Sequence, residues 1–96
     1  MSVKNTRLYF VVREDLPEGR RIAMALHAMD EWTALYGPQK GTVIVYAVPN
    51  EQALLDLLPE DGKTVLWREP DLKNQATAFA TDKGRMELPL LGRQAA

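Results

Sequence analysis

The feature that most limits what this chain can fold into is a pair of unbroken apolar runs, Leu8-Tyr-Phe-Val-Val-Arg13 and Thr42-Val-Ile-Val-Tyr-Ala-Val48, separated by one long amphipathic segment. Each run is rich in β-branched and aromatic residues and lacks polar alternation, which is the pattern of a strand covered on both faces. A strand, a helix of about five turns and a second strand in this order make a right-handed βαβ unit with parallel strands. The 96 residues, 46% of them hydrophobic, are enough for a single two- or three-layer core without covalent staples. Residues 1–96 are therefore read as one domain.

The intervening helix is expected from about Pro17 to Tyr36. Asp15 stands as a plausible N-cap, with Glu18 three residues on as its capping-box partner and Pro17 in the first turn. Gly37-Pro38 supplies the stop. At 100° per residue, Ile22, Ala25, Leu26, Met29, Thr33 and Tyr36 share a stripe with Trp32 at its border, so this face is expected to pack on the sheet. Arg20, Ala23, Met24, His27, Glu31 and Ala34 fall on the opposite face.

Further along, Asn50 can cap a short helix Glu51–Leu58 that Pro59 ends. Thr64-Val-Leu-Trp-Arg68 reads as a third strand and Gln75-Ala-Thr-Ala-Phe-Ala-Thr81 as a fourth, antiparallel to it because the gap between them is short and rich in turn residues. The expected fold is α/β: a mixed four-stranded sheet in the order β-α-β-α-β-β, strands 1–3 parallel and strand 4 antiparallel, with helices packed on it. Met86-Glu-Leu-Pro-Leu-Leu91 is apolar enough to pack on the domain, and Gly92–Ala96 is expected to fray.

Several classes of chemistry fall away on composition. The chain has no cysteine, which removes disulfides, thiolate metal sites and cysteine nucleophiles and leaves a cytoplasmic location as the default. One histidine makes a zinc site a poor fit, no glycine-rich phosphate motif occurs, and the one serine, Ser2, sits at the chain start. No cofactor is implied. Leu8–Val12 is too short for a signal sequence or a membrane span, so no membrane partner is expected. A net charge of -1 argues against gripping nucleic acid through bulk charge, though a local basic patch is compatible with it.

In a parallel α/β sheet, ligands gather at the carboxyl ends of the strands. Arg13, Glu14 and Asp15 arrive there from the first strand, Arg68, Glu69 and Asp71 from the third, and the long helix starts there with Arg20 and Arg21 in its first turns. That arrangement suits an anion such as phosphate, although an isolated arginine pair is more often solvated surface. His27 fits either a site or a surface pair with Glu31 one turn on, and the spacing favours the latter. Glu69 and Asp71 read as an acid/base pair or as a solvated Pro-Asp turn. Thr77 offers a hydroxyl beside that turn or is simply a β-branched strand residue.

Taken together, Leu8-Tyr-Phe-Val-Val-Arg13-Glu-Asp15-Leu16, Gly19 and His27-Ala28, with Glu69-Pro-Asp71-Leu later, resemble the signature of type II peptidyl-tRNA hydrolases. The resemblance covers roughly residues 6–81. It implies hydrolysis of the ester between a peptide and the 3′ end of tRNA. Carried over by position, Arg20 stands where the family has lysine, Met24 where it has glutamine, His27 at its histidine and Glu69 near its aspartate. Arginine keeps the charge but not the geometry of lysine, and methionine removes a polar group. The implied roles are phosphate binding by Arg13, Arg20 and Arg21, with Met24 at a substrate-contacting position. Water would be activated by Glu69 with Asp71 or His27, and the oxyanion held by Thr77 or a backbone N–H.

Two other functions compete. A non-catalytic relative, as a monomer or a homodimer, would bind RNA or a protein partner through the same crevice, and Met24 is its main support. Hydrolysis of a different ester is the third, since fold alone does not fix substrate.

Overall fold

The computed structural model describes residues 6–38, 41–60, 63–82 and 90–95. β1 (Thr6–Arg13) and β2 (Gly41–Val48) lie side by side in parallel, with Leu8 opposite Val43 and Arg13 opposite Val48, and α1 (Glu18–Tyr36) connects them. α2 (Glu51–Asp56) follows, capped by Asn50, whose Oδ1 accepts the Ala53 N–H at 2.9 Å. β3 (Thr64–Glu69), a 3-10 turn (Pro70–Leu72) and β4 (Gln75–Thr81) form an antiparallel hairpin, and β5 (Leu90–Ala95) pairs antiparallel with β2.

The spatial order is β3-β4-β1-β2-β5. This corrects the expected sheet, a four-stranded one with strands 1–3 as its parallel set. Among the described residues only β1 and β2 pair in parallel; β4 stands between β1 and β3, antiparallel to both, and a fifth strand is added at the far edge. The reason lies in side chains. Ala76, Thr77, Ala78, Phe79, Ala80 and Thr81 can all be buried, as a central strand requires, whereas β3 carries the exposed Arg68 and tolerates an edge. Residues 92–95, expected to fray, belong to β5. The front of the apolar tail, residues 86–89, lies outside the described residues.

Alternation along β1 separates two cores. Leu8, Phe10 and Val12 face α1, joined by Val65, Ala78 and Ala80 and by Met24, Ala28 and Trp32 of the helix. Tyr9 and Val11 face the other side with Ile44, Tyr46, Val48, Leu54 and Phe79.

The helix is turned relative to the expected stripe. Met24, Ala28 and Trp32 are its buried residues, while Ile22 is 58% and Leu26 62% exposed. At 100° per residue this is a rotation of roughly 110°. It follows from the strand order, because α1 lies over β4, β3 and β1 and sets Met24, Ala28 and Trp32 on them. Small residues on both surfaces, Ala28 against Ala78 and Ala80, allow close approach.

The helix start also differs. Pro17 is the N-cap and offers no side-chain bond, while Asp15 is held by the Arg13 guanidinium, with Nε to Oδ1 at 2.9 Å and Nη2 to Oδ2 at 2.8 Å. A bidentate charged pair outcompetes a single cap bond for the same carboxylate. The C-terminus is as expected: Gly37 at φ 89 donates to the Thr33 carbonyl at 2.9 Å. Among the described residues no helix is long and apolar enough to cross a membrane.

Candidate active site

The hairpin brings the site together. Trp67 and Glu69, two apart on β3, project to the same side of the strand. The Trp67 Nε1–H donates to Glu69 Oε1 at 3.2 Å, and Glu69 Oε2 accepts the Asp71 N–H at 3.4 Å, capping the 3-10 turn. The chain then reverses through Lys73 and Asn74, both with positive φ (55° and 61°), and the Asn74 N–H closes on the Glu69 carbonyl at 3.0 Å. Glu69 is thus buried and held through both oxygens of its carboxylate. Each carboxylate oxygen still has lone-pair capacity beyond its one bond.

On the facing helix, His27 lies flat on Trp67, ring centroids 4.6 Å apart and planes 15° from parallel. No hydrogen bond or ion pair joins His27 to Glu31, Glu69 or Asp71 among the described residues. The surface pair with Glu31 that the spacing favours is therefore replaced by the stack. The indole stands as the shared neighbour of imidazole and carboxylate.

Between α1 and the end of β3 lies an open hollow of about 370 Å³, lined by Gly19, Arg20, Ala23, Met24, His27, Glu69 and Asp71. Five of the residues singled out from sequence, Arg20, Met24, His27, Glu69 and Asp71, meet here. Arg20, His27 and Asp71 are exposed, whereas Met24 belongs to the core and presents only an apolar part of the hollow's wall. The start of α1 adds backbone donors: the Arg21 N–H bonds the Pro17 carbonyl, and no side chain caps the N–H groups before it.

Three expected residues stand apart. Arg13 projects to the opposite side of the sheet and is buried, binding Asp15, the Gln75 Oε1 at 2.8 Å and the Ala76 carbonyl at 3.1 Å, so it ties strand ends together and is not placed to meet phosphate at the hollow. Arg21 is partly buried and does not line the hollow, and its Nε has no partner among the described residues. Thr77 is fully buried. The register passes from Trp67 opposite Ala78 to Arg68 opposite Ala76, leaving Thr77 as the extra residue of a β-bulge whose hydroxyl donates to the Trp67 carbonyl at 3.4 Å. It braces the strand under Trp67 and is not open to a substrate.

Trp67 is the residue that sequence reasoning missed. Its available signal was its position two before Glu69 on one strand, which puts an indole N–H on the same side as a carboxylate. Away from the hollow, the hydrogen bond from Arg13 holds the Asp15 carboxyl below its ordinary range against the opposing effect of burial, and the same bond raises Arg13.

No protein-family model matches the chain, and no curated protein matches it.

Proposed function

We propose that the protein is a peptidyl-tRNA hydrolase-like esterase, cleaving the ester that joins a peptide to the 3′ end of tRNA. The observation that carries this reading is convergence. Arg20, Met24, His27 and Glu69, which the type II family resemblance selects by motif position alone, come from two distant segments and line one hollow with Gly19 and Asp71.

In this reading Glu69 is the general base. It is held by Trp67 and the Asp71 N–H and keeps acceptor capacity for a water. As the water oxygen adds to the ester carbonyl carbon, its proton passes to Glu69. The oxyanion is met by uncapped N–H groups at the start of α1, in place of the buried Thr77. Collapse breaks the bond between acyl carbon and ribose oxygen, the proton goes to that oxygen, and the peptide acid and tRNA hydroxyl are released. Arg20 offers charge to phosphate at the mouth. Asp71, exposed in the same wall, orients the water from its second side. Incubation of purified protein with peptidyl-tRNA is expected to release peptide; an inert protein over a wide enzyme range overturns the reading.

A second reading, tRNA binding without turnover, is favoured by Met24. Where the family has a polar glutamine, this chain has a side chain only 3% exposed and packed with Ala28 and Trp32. Tight tRNA binding lost with Arg20→Ala, and no hydrolysis, selects it.

A further inference from the structure

The stacked histidine is unused by that chemistry. A ring covered on one side by Trp67 has a second face, and His27 remains exposed while lining the hollow, so that face is open to a ligand. Its nitrogens have no carboxylate partner among the described residues, unlike those of the histidine in a catalytic dyad. The indole beneath is itself pinned, through Nε1 to the buried Glu69, and the bulge at Thr77 hydrogen-bonds its backbone carbonyl. What the hollow presents is the His27 ring backed by a pinned indole.

We infer that the His27–Trp67 stack is a nucleobase platform: the hollow takes one nucleotide, its base lying on the free face of His27 and its phosphate toward Arg20. Planar aromatic ligands in general would stack there, and two observations narrow the class. The hollow holds the cation of Arg20 on its helix side and the Glu69 and Asp71 carboxylates on its hairpin side, so a ring joined to an anion can pair with Arg20 where an aromatic side chain leaves it unpaired. The volume of about 370 Å³ is near the lower end of the roughly 300–1,000 Å³ of small-molecule sites, which accommodates one nucleotide. Stacking accepts any base, so the platform supplies affinity without strict sequence preference.

This inference rests on the proposed reading only in placing the nucleotide beside the reacting ester; the platform itself predicts binding without turnover. The base can come from a free nucleotide or from the 3′-terminal nucleotide of an RNA, and binding experiments separate the two. The full chain is titrated with AMP, adenosine and a short RNA ending in CCA, following tryptophan emission. Saturable quenching by AMP is expected, with adenosine weaker. His27→Phe, which keeps a ring face and loses both nitrogens, should bind AMP within about threefold of the parent. His27→Ala should lose roughly 10- to 100-fold, the size of a base-stacking contribution. Arg20→Ala should weaken AMP and leave adenosine unchanged. RNA binding well above AMP assigns the base to an RNA end, and equal binding assigns it to a free nucleotide.

The platform is overturned if none of the three ligands quenches saturably at millimolar concentration. It is also overturned if His27→Phe is as weak as His27→Ala, which would make the nitrogens the binding groups. A benzoate probe binding as well as AMP would overturn the nucleotide assignment. His27 is exposed, so these variants should fold, and circular dichroism checks that they do. A protein that binds AMP this way yet leaves peptidyl-tRNA intact keeps the platform and loses the hydrolase reading. One that cleaves peptidyl-tRNA with no AMP binding does the reverse.

Discussion

Replacing Glu69 by glutamine separates its two roles, as a clamp in the fold and as a base in the hollow. The carboxylate accepts two hydrogen bonds, from Trp67 Nε1 at 3.2 Å and from the Asp71 N–H at 3.4 Å. An amide has one oxygen, so it can keep one of these bonds and must turn its NH2 toward the other donor. The lost bond involves a charged acceptor in a pair that is only partly buried, and the cost is about 1–2 kcal/mol of stability. A 96-residue domain has on the order of 5–14 kcal/mol in total. The variant therefore stays overwhelmingly folded, and loss of fold cannot account for a large loss of rate. Removing a general base is expected to lower kcat by about 10²–10⁴-fold, equivalent to roughly 3–5 kcal/mol at 1.36 kcal/mol per tenfold. The assay is single-turnover hydrolysis of peptidyl-tRNA beside a urea unfolding curve. A variant destabilised by 1–2 kcal/mol that cleaves within twofold of the parent would refute the base assignment and leave Glu69 as the cap of the 3-10 turn and the anchor of Trp67.

Two further outcomes follow from the arginines. Asp15 is held below the unfolded carboxylate value of about 3.9 by its bond to Arg13, so its contribution to stability is present above that pH and is lost as pH falls through the lower folded value. Asp15→Asn should flatten acid unfolding below about pH 4, by less than about 1 kcal/mol because the carboxylate is 39% exposed; acid curves that superimpose would contradict this. Arg20→Ala should weaken tRNA binding and lower the slope of log K against log salt by about one, whereas Arg13→Met should lower stability and leave that slope unchanged. Equal slopes for the two variants would place phosphate contacts elsewhere.

Much of the hollow was legible in the chain as residue types: an arginine and a histidine on one helix, a Glu-Pro-Asp turn after a strand. Their meeting was not legible as contact. Spacing along α1 related His27 to Glu31, whereas the ring it meets is Trp67, far along the chain on a strand that β4 separates from β1. Arg13 and Thr77 show the same gap from the other side. Both stand near the right end of the sheet in sequence, yet strand alternation sends Arg13 to the far face, and a bulge that no local pattern announces leaves Thr77 buried under Trp67.

What the sequence by itself determined is local: strands wherever β-branched runs occur, the ends of α1 at Gly37 and of α2 at Asn50, and the parallel pairing of β1 with β2 that a long helical connection imposes. Those outcomes depend on backbone propensity, capping and connection length, all within a few tens of residues. The tertiary structure decided which face of α1 is buried, where Asp15 binds, and that His27 has an indole and not a carboxylate for a neighbour. Each of these depends on β4 taking the place beside β1, a choice among sheet edges that is made by how much side-chain surface each strand can bury.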